Sequence, residues 1–307
     1  MSHILRVLGT MALFGMLAAS MGPANAAQLQ LNAGAPYLCA VVQGGNTAPG
    51  TPVIAYSCSG GPEDQWNYVA GQLQGIGTAN GKATCLDLQA GGTAPGTLVV
   101  LNACNGAQTQ QWQMLAGQSD GLPASTLINA YSGSGTCMDI SGGPPVGGGT
   151  QLVVNTCTGV PSQNWIVRGM QLVDANAPYV CANVEGAKTA NGTPVLAYSC
   201  DDAPNELWNY ENGQIYGVGS ENGTSKCLTE SEAAPGSLVQ LSTCNGSGLW
   251  NFLSPEFGSP PYPGSVISNT QSALCLDRSG GPSIGGGTQL LANFCLRPTT
   301  SQVWIVR

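Results

Sequence analysis

The chain has 307 residues, with sixteen Asp or Glu against eight Lys or Arg and a formal net charge of −8. Bases scattered through an acidic chain leave no electrostatic footprint for nucleic acid or an anionic membrane, which excludes those partners. Low charge (8%), with 44 Gly and 20 Pro beside 42% apolar residues, describes a turn-rich globule rather than a disordered chain.

In chain order the first element is a leader. Arg6 precedes the apolar run Val7–Ala19, and Ala24-Asn25-Ala26 supplies a small-x-small cleavage pattern, so residues 1–26 read as a secretory signal peptide. The run is too short to span a bilayer and no later one approaches it, so the expected product is secreted or periplasmic, without membrane insertion. Cleavage leaves 307 − 26 = 281 residues and, with Arg6 gone, a net charge of 7 − 16 = −9. The only histidine, His3, leaves too. That removes Ser-His-Asp and Cys-His catalysis in their usual forms and imidazole ligation of metals; no cofactor or metal is expected.

The twelve cysteines all follow the leader, in the pairs Cys39/Cys58, Cys85/Cys104, Cys137/Cys157, Cys181/Cys200, Cys227/Cys244 and Cys275/Cys295, separated by 19, 19, 20, 19, 17 and 20 residues. Each second cysteine is followed by a tryptophan (Trp66, Trp112, Trp165, Trp208, Trp250, Trp304) at offsets of 8, 8, 8, 8, 6 and 9, and these are the chain's only tryptophans. Six copies of one unit follow, with a disulfide expected inside each. Zinc thiolates are the rival reading of the cysteines, but no Cys-x-x-Cys pair exists.

The segments 50–58, 96–104, 149–157, 192–200, 236–244 and 287–295 each open with Gly-Thr or Gly-Ser and run through β-branched and aliphatic residues to the second cysteine. They read as strands, and no stretch after the leader sustains a helical apolar period, so the fold class is all-β. A six-bladed propeller would make the units equal. They are not: GTPVIAYSC (50–58) matches GTPVLAYSC (192–200) at eight of nine positions but its neighbour GTLVVLNAC (96–104) at only four. Three units were therefore duplicated whole, with the join expected near Arg168-Gly169, giving domains 27–168 and 169–307.

Three Cys…Cys…Gln-x-Trp units, seen as Gln110-Gln111-Trp112, Gln163-Asn164-Trp165 and Gln302-Val303-Trp304, resemble the ricin-B-type lectin repeat. The resemblance covers residues 28–307 and implies two tandem β-trefoils, each of three four-stranded lobes around a pseudo-threefold axis. It also implies a multivalent, weakly carbohydrate-binding, non-enzymatic protein. In such lobes an Asp two residues after the first cysteine accepts sugar hydroxyls, an aromatic two residues before the second stacks on the ring, and the Gln of Gln-x-Trp holds the Asp.

Mapped onto this chain, those roles split the lobes. Asp87 with Asn102 and Gln110, Asp139 with Asn155 and Gln163, and Asp277 with Asn293 and Gln302 keep Asp and Gln but carry Asn at the platform position. Val41 with Asp64, Asn183 with Glu206 and Thr229 with Gly248 lose both. Asp and Gln are kept or lost together, as a direct carboxylate–amide bond requires. The structural alternative is an Asp–Asn–Gln clasp that holds a turn and no ligand. Tyr56 and Tyr198 keep the aromatic platform in lobes without the Asp, the second beside Asn183 and Asn205. The lobe of Thr229 reads as inactive. Glu63-Asp64 and Asp201-Asp202 are adjacent acids, which read as loop charges rather than a facing glycosidase pair. The rival functional reading keeps the fold as a disulfide-stapled scaffold for a protein partner, an inhibitor or an envelope component, with sugar binding lost.

Overall fold

The computed structural model describes residues 26–32, 37–115, 126–129, 136–217, 226–246, 248–253, 264–295 and 300–307. Residues 1–25, which hold nearly all of the expected leader, lie outside them. Within the described residues the chain is strand and turn with short 3-10 turns and no α-helix, and each strand pairing is antiparallel.

Each unit folds as a four-stranded lobe. In the first, Ala27–Leu31, Leu38–Val42, Thr51–Ser57 and Gln65–Val69 follow one another, with a 3-10 turn over Pro62–Asp64 before the last. The outer strands build a barrel that closes where Ala27–Leu31 meets Trp165–Met170, pairing Gln28 with Arg168. The inner hairpins form a cap in which each touches the next around the axis: Thr51 pairs with Leu101, Thr97 with Val154 and Thr150 with Ala55. The expected strand at 149–157 is thereby split at Leu152, whose N–H is given to Val53 O at 2.9 Å. The strand at 287–295 is split at Leu290 for the same reason, its N–H reaching Val195 O at 2.8 Å.

Six tryptophans fix the lobes onto the core. Each indole N–H donates to the carbonyl of the residue after the unit's first cysteine: Trp66 to Ala40, Trp112 to Leu86, Trp165 to Met138, Trp208 to Ala182, Trp250 to Leu228 and Trp304 to Leu276, all at 2.9–3.0 Å. A ring that is fully buried yet has its one polar atom satisfied can fill a core without a desolvation penalty.

The six expected disulfides are present, each within its own lobe: Cys39–Cys58, Cys85–Cys104, Cys137–Cys157, Cys181–Cys200, Cys227–Cys244 and Cys275–Cys295, with Cα–Cα distances of 5.0–5.1 Å. The two ends of each bridge differ. Cys39, Cys85, Cys137, Cys181, Cys227 and Cys275 lie inside strands and are wholly buried. The strands expected to run to the second cysteine instead stop one residue short, at Ser57, Ala103, Thr156, Ser199, Thr243 and Phe294. Cys58, Cys104, Cys157, Cys200, Cys244 and Cys295 therefore open the following turn, half-buried in the first five cases and exposed at Cys295. Ladder pairing runs out there because it starts, on the partner strand, at the residue before the first cysteine, as at Leu38↔Ser57, Thr84↔Ala103 and Thr136↔Thr156. The bridge thus clamps the open end of each inner hairpin. Closing loops of 17–20 residues stabilises by about 3 kcal/mol each in the chain-entropy account.

The two trefoils stack barrel end to barrel end. Contacts across the join come from the residue two positions after each tryptophan: Tyr68 pairs with Val306, Met114 with Phe252, and Val167 with Tyr210. All six are buried, and one apolar cluster runs through both barrels. Phe252 stands edge-on to Tyr210 and Tyr68, with centroids at 5.0 and 6.4 Å. The tyrosine hydroxyls donate to Trp112 O (2.6 Å) and Trp250 O (2.9 Å), so both phenols at this seam are satisfied. Trp165–Met170 runs through Arg168-Gly169 as one strand with a register shift, which is how the chain passes between barrels with no linker.

Candidate functional site

The Asp–Asn–Gln sets form three knots of one design. In the second lobe Asp87 Oδ2 accepts from Asn102 Nδ2 (2.9 Å) and Gln110 Nε2 (3.1 Å), while Oδ1 accepts the Leu88 N–H (2.7 Å). In the third, Asp139 Oδ2 accepts from Asn155 (3.1 Å) and Gln163 (3.0 Å), and Oδ1 from the Ser141 N–H (2.8 Å). In the sixth, Asp277 Oδ2 accepts from Asn293 (3.2 Å) and Gln302 (2.9 Å), and Oδ1 from the N–H and hydroxyl of Ser279. Each Gln spends its other bonds on the turn: Gln110 Oε1 accepts Asn105 N–H and its Nε2 donates to Ala103 O. Asn102 and Asn155 go further, accepting the N–H of Gly50 and of Gly96 from the preceding lobe.

The carboxylates are 6%, 2% and 3% exposed at Asp87, Asp139 and Asp277. The Asn at the platform position of each of these lobes turns its amide onto the carboxylate, at 2.9–3.2 Å. Burial pushes the Asp139 and Asp277 carboxyls up, but hydrogen bonds from Ser141 and Ser162 in the one and Ser279 in the other, together with the Asn155, Gln163 and Gln302 amides, outweigh it and hold both below 3.8. A carboxyl lowered on folding contributes stability above 3.8 that is lost as pH falls through its native value. Protonating these two carboxyls should therefore cost stability as pH falls below 3.8. An Asp139→Asn, Asp277→Asn variant should be less stable at neutral pH by about 1–3 kcal/mol per site and lose less on acidification than the wild type, as followed by circular dichroism in an acid titration.

The other three lobes are built differently. Where Gln is lost, an acid takes its place in the turn: Asp64 Oδ2 accepts the N–H of Ser59 (2.6 Å) and Gly60 (3.0 Å), and Glu206 takes the Asp201 N–H (3.0 Å) and the Gln171 amide (2.6 Å). Both are fully buried turn supports. Of the acids beside them, Glu63 is half-buried and accepts from the Ser59 hydroxyl, while Asp201 and Asp202 are exposed and accept from the Ala203 N–H and the Gln171 amide. Burial, with Asp201 close by, raises the Glu206 carboxyl above 4.5 despite those donors. Asn183 Oδ1 accepts from Asn205 Nδ2 at 2.6 Å, and that amide also reaches Val184 O. In the fifth lobe Gly248, at φ +70°, lies so close to Thr229 that a Cβ would fall 2.8 Å from its Cγ2.

Tyr56 and Tyr198 are 45% and 41% exposed. One ring edge of each rests on a glycine hairpin of the third lobe in its own trefoil, Gly147–Gly149 for Tyr56 and Gly285–Gly287 for Tyr198. A Cβ at Gly149 would stand 3.3 Å from the Tyr56 ring and one at Gly287 3.0 Å from Tyr198, so the glycines are what admit the ring. Two further tyrosines are exposed in the same lobes: Tyr37 (61%) and Tyr179 (71%), each two residues before its unit's first cysteine. Sequence reasoning passed over this second pair, although APYLCA and APYVCA (35–40 and 177–182) repeat it openly. Among the described residues no group of three or more His, Cys, Asp or Glu could hold a metal, and no helix is long and apolar enough to cross a membrane.

The family profile of the ricin-type beta-trefoil lectin domain matches residues 27–165, 123–248 and 169–304. The overlapping middle match is what a threefold repeat produces, since any three consecutive units satisfy it. No curated protein matches the sequence. Among solved structures, the agglutinin from Abrus precatorius is 19% identical over 93% of this chain and 98% of its own, with a TM-score of 0.34. A non-toxic homologue of type II RIPs from Momordica charantia, in complex with α-methyl-D-galactoside, is 18% identical over 91% and 95%, with a TM-score of 0.35. A designed threefold-symmetric protein is 23% identical over 46% of this chain and 96% of its own, with a TM-score of 0.36. By its repeat and by the matched profile, the chain belongs to the ricin-type β-trefoil lectin domain family.

Proposed function

We propose that this chain is a secreted, non-enzymatic carbohydrate-binding protein whose sugar contacts are the exposed tyrosines of the first and fourth lobes. Membership of a lectin-domain family suggests carbohydrate binding. The single observation that carries the assignment to these lobes is the duplicated aromatic shelf, Tyr56 and Tyr198 held on glycine hairpins with Tyr37 and Tyr179 exposed in the same lobes. A pyranose has one apolar face that stacks on such a ring, and its hydroxyls remain with water or nearby amides such as Asn183 and Asn205. Two shelves on one rigid body would engage a polymer or dense glycan with more strength than either alone.

In this reading residues 1–26 are a signal peptide, 27–168 and 169–307 are the two trefoils, and the three Asp–Asn–Gln knots are structural clasps. The closed knots also favour a second reading, in which the stapled trefoils present loops to a protein partner. A glycan array probed with the protein lacking residues 1–26 separates the two. Specific hits competed by free monosaccharide are expected; a blank array beside recovery of one protein partner would replace the first reading by the second.

A further inference from the structure

The two tyrosine shelves are copies of one another, but the surface beside them is not. In the first trefoil the loop joining Leu38–Val42 to Thr51–Ser57 borders an open depression of about 500 Å³. Ligand sites run from roughly 300 to 1,000 Å³. None of its lining residues is charged: Ala48, Pro49 and Pro52 make it apolar, and Gln43 and Asn46 bring amides to it. Both amides have bonds to give. Asn46 Oδ1 accepts the Ala48 N–H (3.0 Å), which leaves its Nδ2 uncommitted, and among the described residues the Gln43 side chain makes no hydrogen bond. An amide presents donor and acceptor side by side, a match for neighbouring hydroxyls of a sugar.

Depression and shelf meet on one hairpin of the third lobe. Gln43 lies against Gly147, where a Cβ would fall 2.7 Å from its Nε2. The Tyr56 ring lies against the next two residues, 3.6 Å from a Cβ at Gly148 and 3.3 Å from one at Gly149. Successive Cα atoms are about 3.8 Å apart, so amide and ring stand within the span of two linked pyranoses.

The second trefoil kept the ring and lost its neighbour. Tyr198 lies 3.6 Å from a Cβ at Gly286 and 3.0 Å from one at Gly287, yet among the described residues nothing comes within 4 Å of one at Gly285. At the positions 142 residues on (181 − 39, the spacing of Cys39 and Cys181), Glu185 stands for Gln43, Lys188 for Asn46 and Asn191 for Pro49. Glu185 and Lys188 pair with each other. Asn191 Oδ1 is taken by Lys226 (2.8 Å) and Thr243 (3.2 Å). Groups spent on one another are not available to a neutral sugar.

We infer that the first trefoil binds two consecutive uncharged sugar residues, one on Tyr56 and the next in the depression through Gln43 and Asn46, whereas the shelf of Tyr198 binds one. This rests on the reading of both tyrosines as sugar platforms and sets the ligand class as a neutral oligosaccharide. The second residue turns its apolar face to Pro49 and Pro52 and its hydroxyls to the two amides. A charged residue is excluded there, since it would lose water and meet no counter-ion.

Two variants isolate the shelves, Tyr198→Ala leaving the first and Tyr56→Ala the second. Each, lacking residues 1–26, is titrated calorimetrically with the methyl glycosides of glucose, galactose, mannose and N-acetylglucosamine and with the 1,3- and 1,4-linked disaccharides of each sugar. Tyr198→Ala should bind the best disaccharide about tenfold more tightly than its monosaccharide, the worth of one or two added hydrogen bonds. Tyr56→Ala should bind the two equally. Adding Gln43→Glu and Asn46→Lys to Tyr198→Ala installs the ion pair of the second trefoil in the first; it should erase the margin and leave the monosaccharide affinity and melting temperature almost unchanged. An equal margin in both single-shelf proteins, or one that survives the exchange, would overturn the inference. Monosaccharide binding to Tyr198→Ala with no disaccharide margin would also overturn it while leaving the lectin reading intact. No binding of any glycoside to either protein would remove both.

Discussion

Replacing Phe252 with alanine should cost about 3–5 kcal/mol and should melt both trefoils together. Phe252 is fully buried and lies at the seam, edge-on to one tyrosine from each barrel, Tyr68 and Tyr210. Truncation removes a whole ring from a place where neighbours on both sides are held by strand pairing and cannot collapse inward. The cavity term therefore adds to the lost transfer energy, and the two edge-to-face contacts go as well. Because the same apolar cluster runs through both barrels, the wild-type protein should show one calorimetric transition, and the variant one transition at lower temperature. Leu238→Ala, at a side chain 37% exposed, is the control and should stay within about 0.5 kcal/mol. Two separate transitions in the wild type, or a loss at Phe252 no larger than at Leu238, would mean that the barrels are energetically independent.

That seam was written in the sequence without being readable from it. The residue two positions after each tryptophan is apolar in all six units (Tyr68, Met114, Val167, Tyr210, Phe252, Val306), a pattern that a lone trefoil with a solvated barrel end would not need. What periodicity does not give is the partner, since Tyr68 meets Val306 across 238 positions (306 − 68). The unit itself was legible because its marks are local: cysteine spacing, the following tryptophan and the Gly-Thr opening. The breaks at Leu152 and Leu290 were not, because each is made by a backbone bond to a different lobe.

The knots show the same limit in the site. A carboxylate–amide bond follows from Asp and Gln being kept or lost together, and the Gln110, Gln163 and Gln302 bonds are there at 2.9–3.1 Å. The Asn at the platform position reads in the sequence as an aromatic that is absent. In the fold it is a second amide that closes the carboxylate, and in two lobes it also ties down the preceding lobe through Gly50 or Gly96. An omission along the chain proved to be a contact across it.

Tyr56→Ala together with Tyr198→Ala should abolish retention on a glycan column while leaving the melting temperature almost unchanged. Both rings are more than two-fifths exposed, so little of the core is lost with them. What goes is the flat apolar surface on which a sugar face would rest, in both lobes at once. Either single variant should keep the affinity of its remaining shelf for a free monosaccharide but lose about a hundredfold or more against a polymer, since linked sites gain roughly that much by acting together. The contrast is the triple variant Asp87→Ala, Asp139→Ala, Asp277→Ala. Each substitution strands two amide donors in a buried knot, at about 1–3 kcal/mol apiece, so the triple variant should be markedly less stable yet still retained wherever it remains folded. The converse result, with retention lost in the folded aspartate variant and intact in the tyrosine variant, would return the sugar to the carboxylates. It would require each knot to open and exchange the Asn amide for a sugar hydroxyl, at the cost of the strut that Asn102 and Asn155 make to the lobe before them.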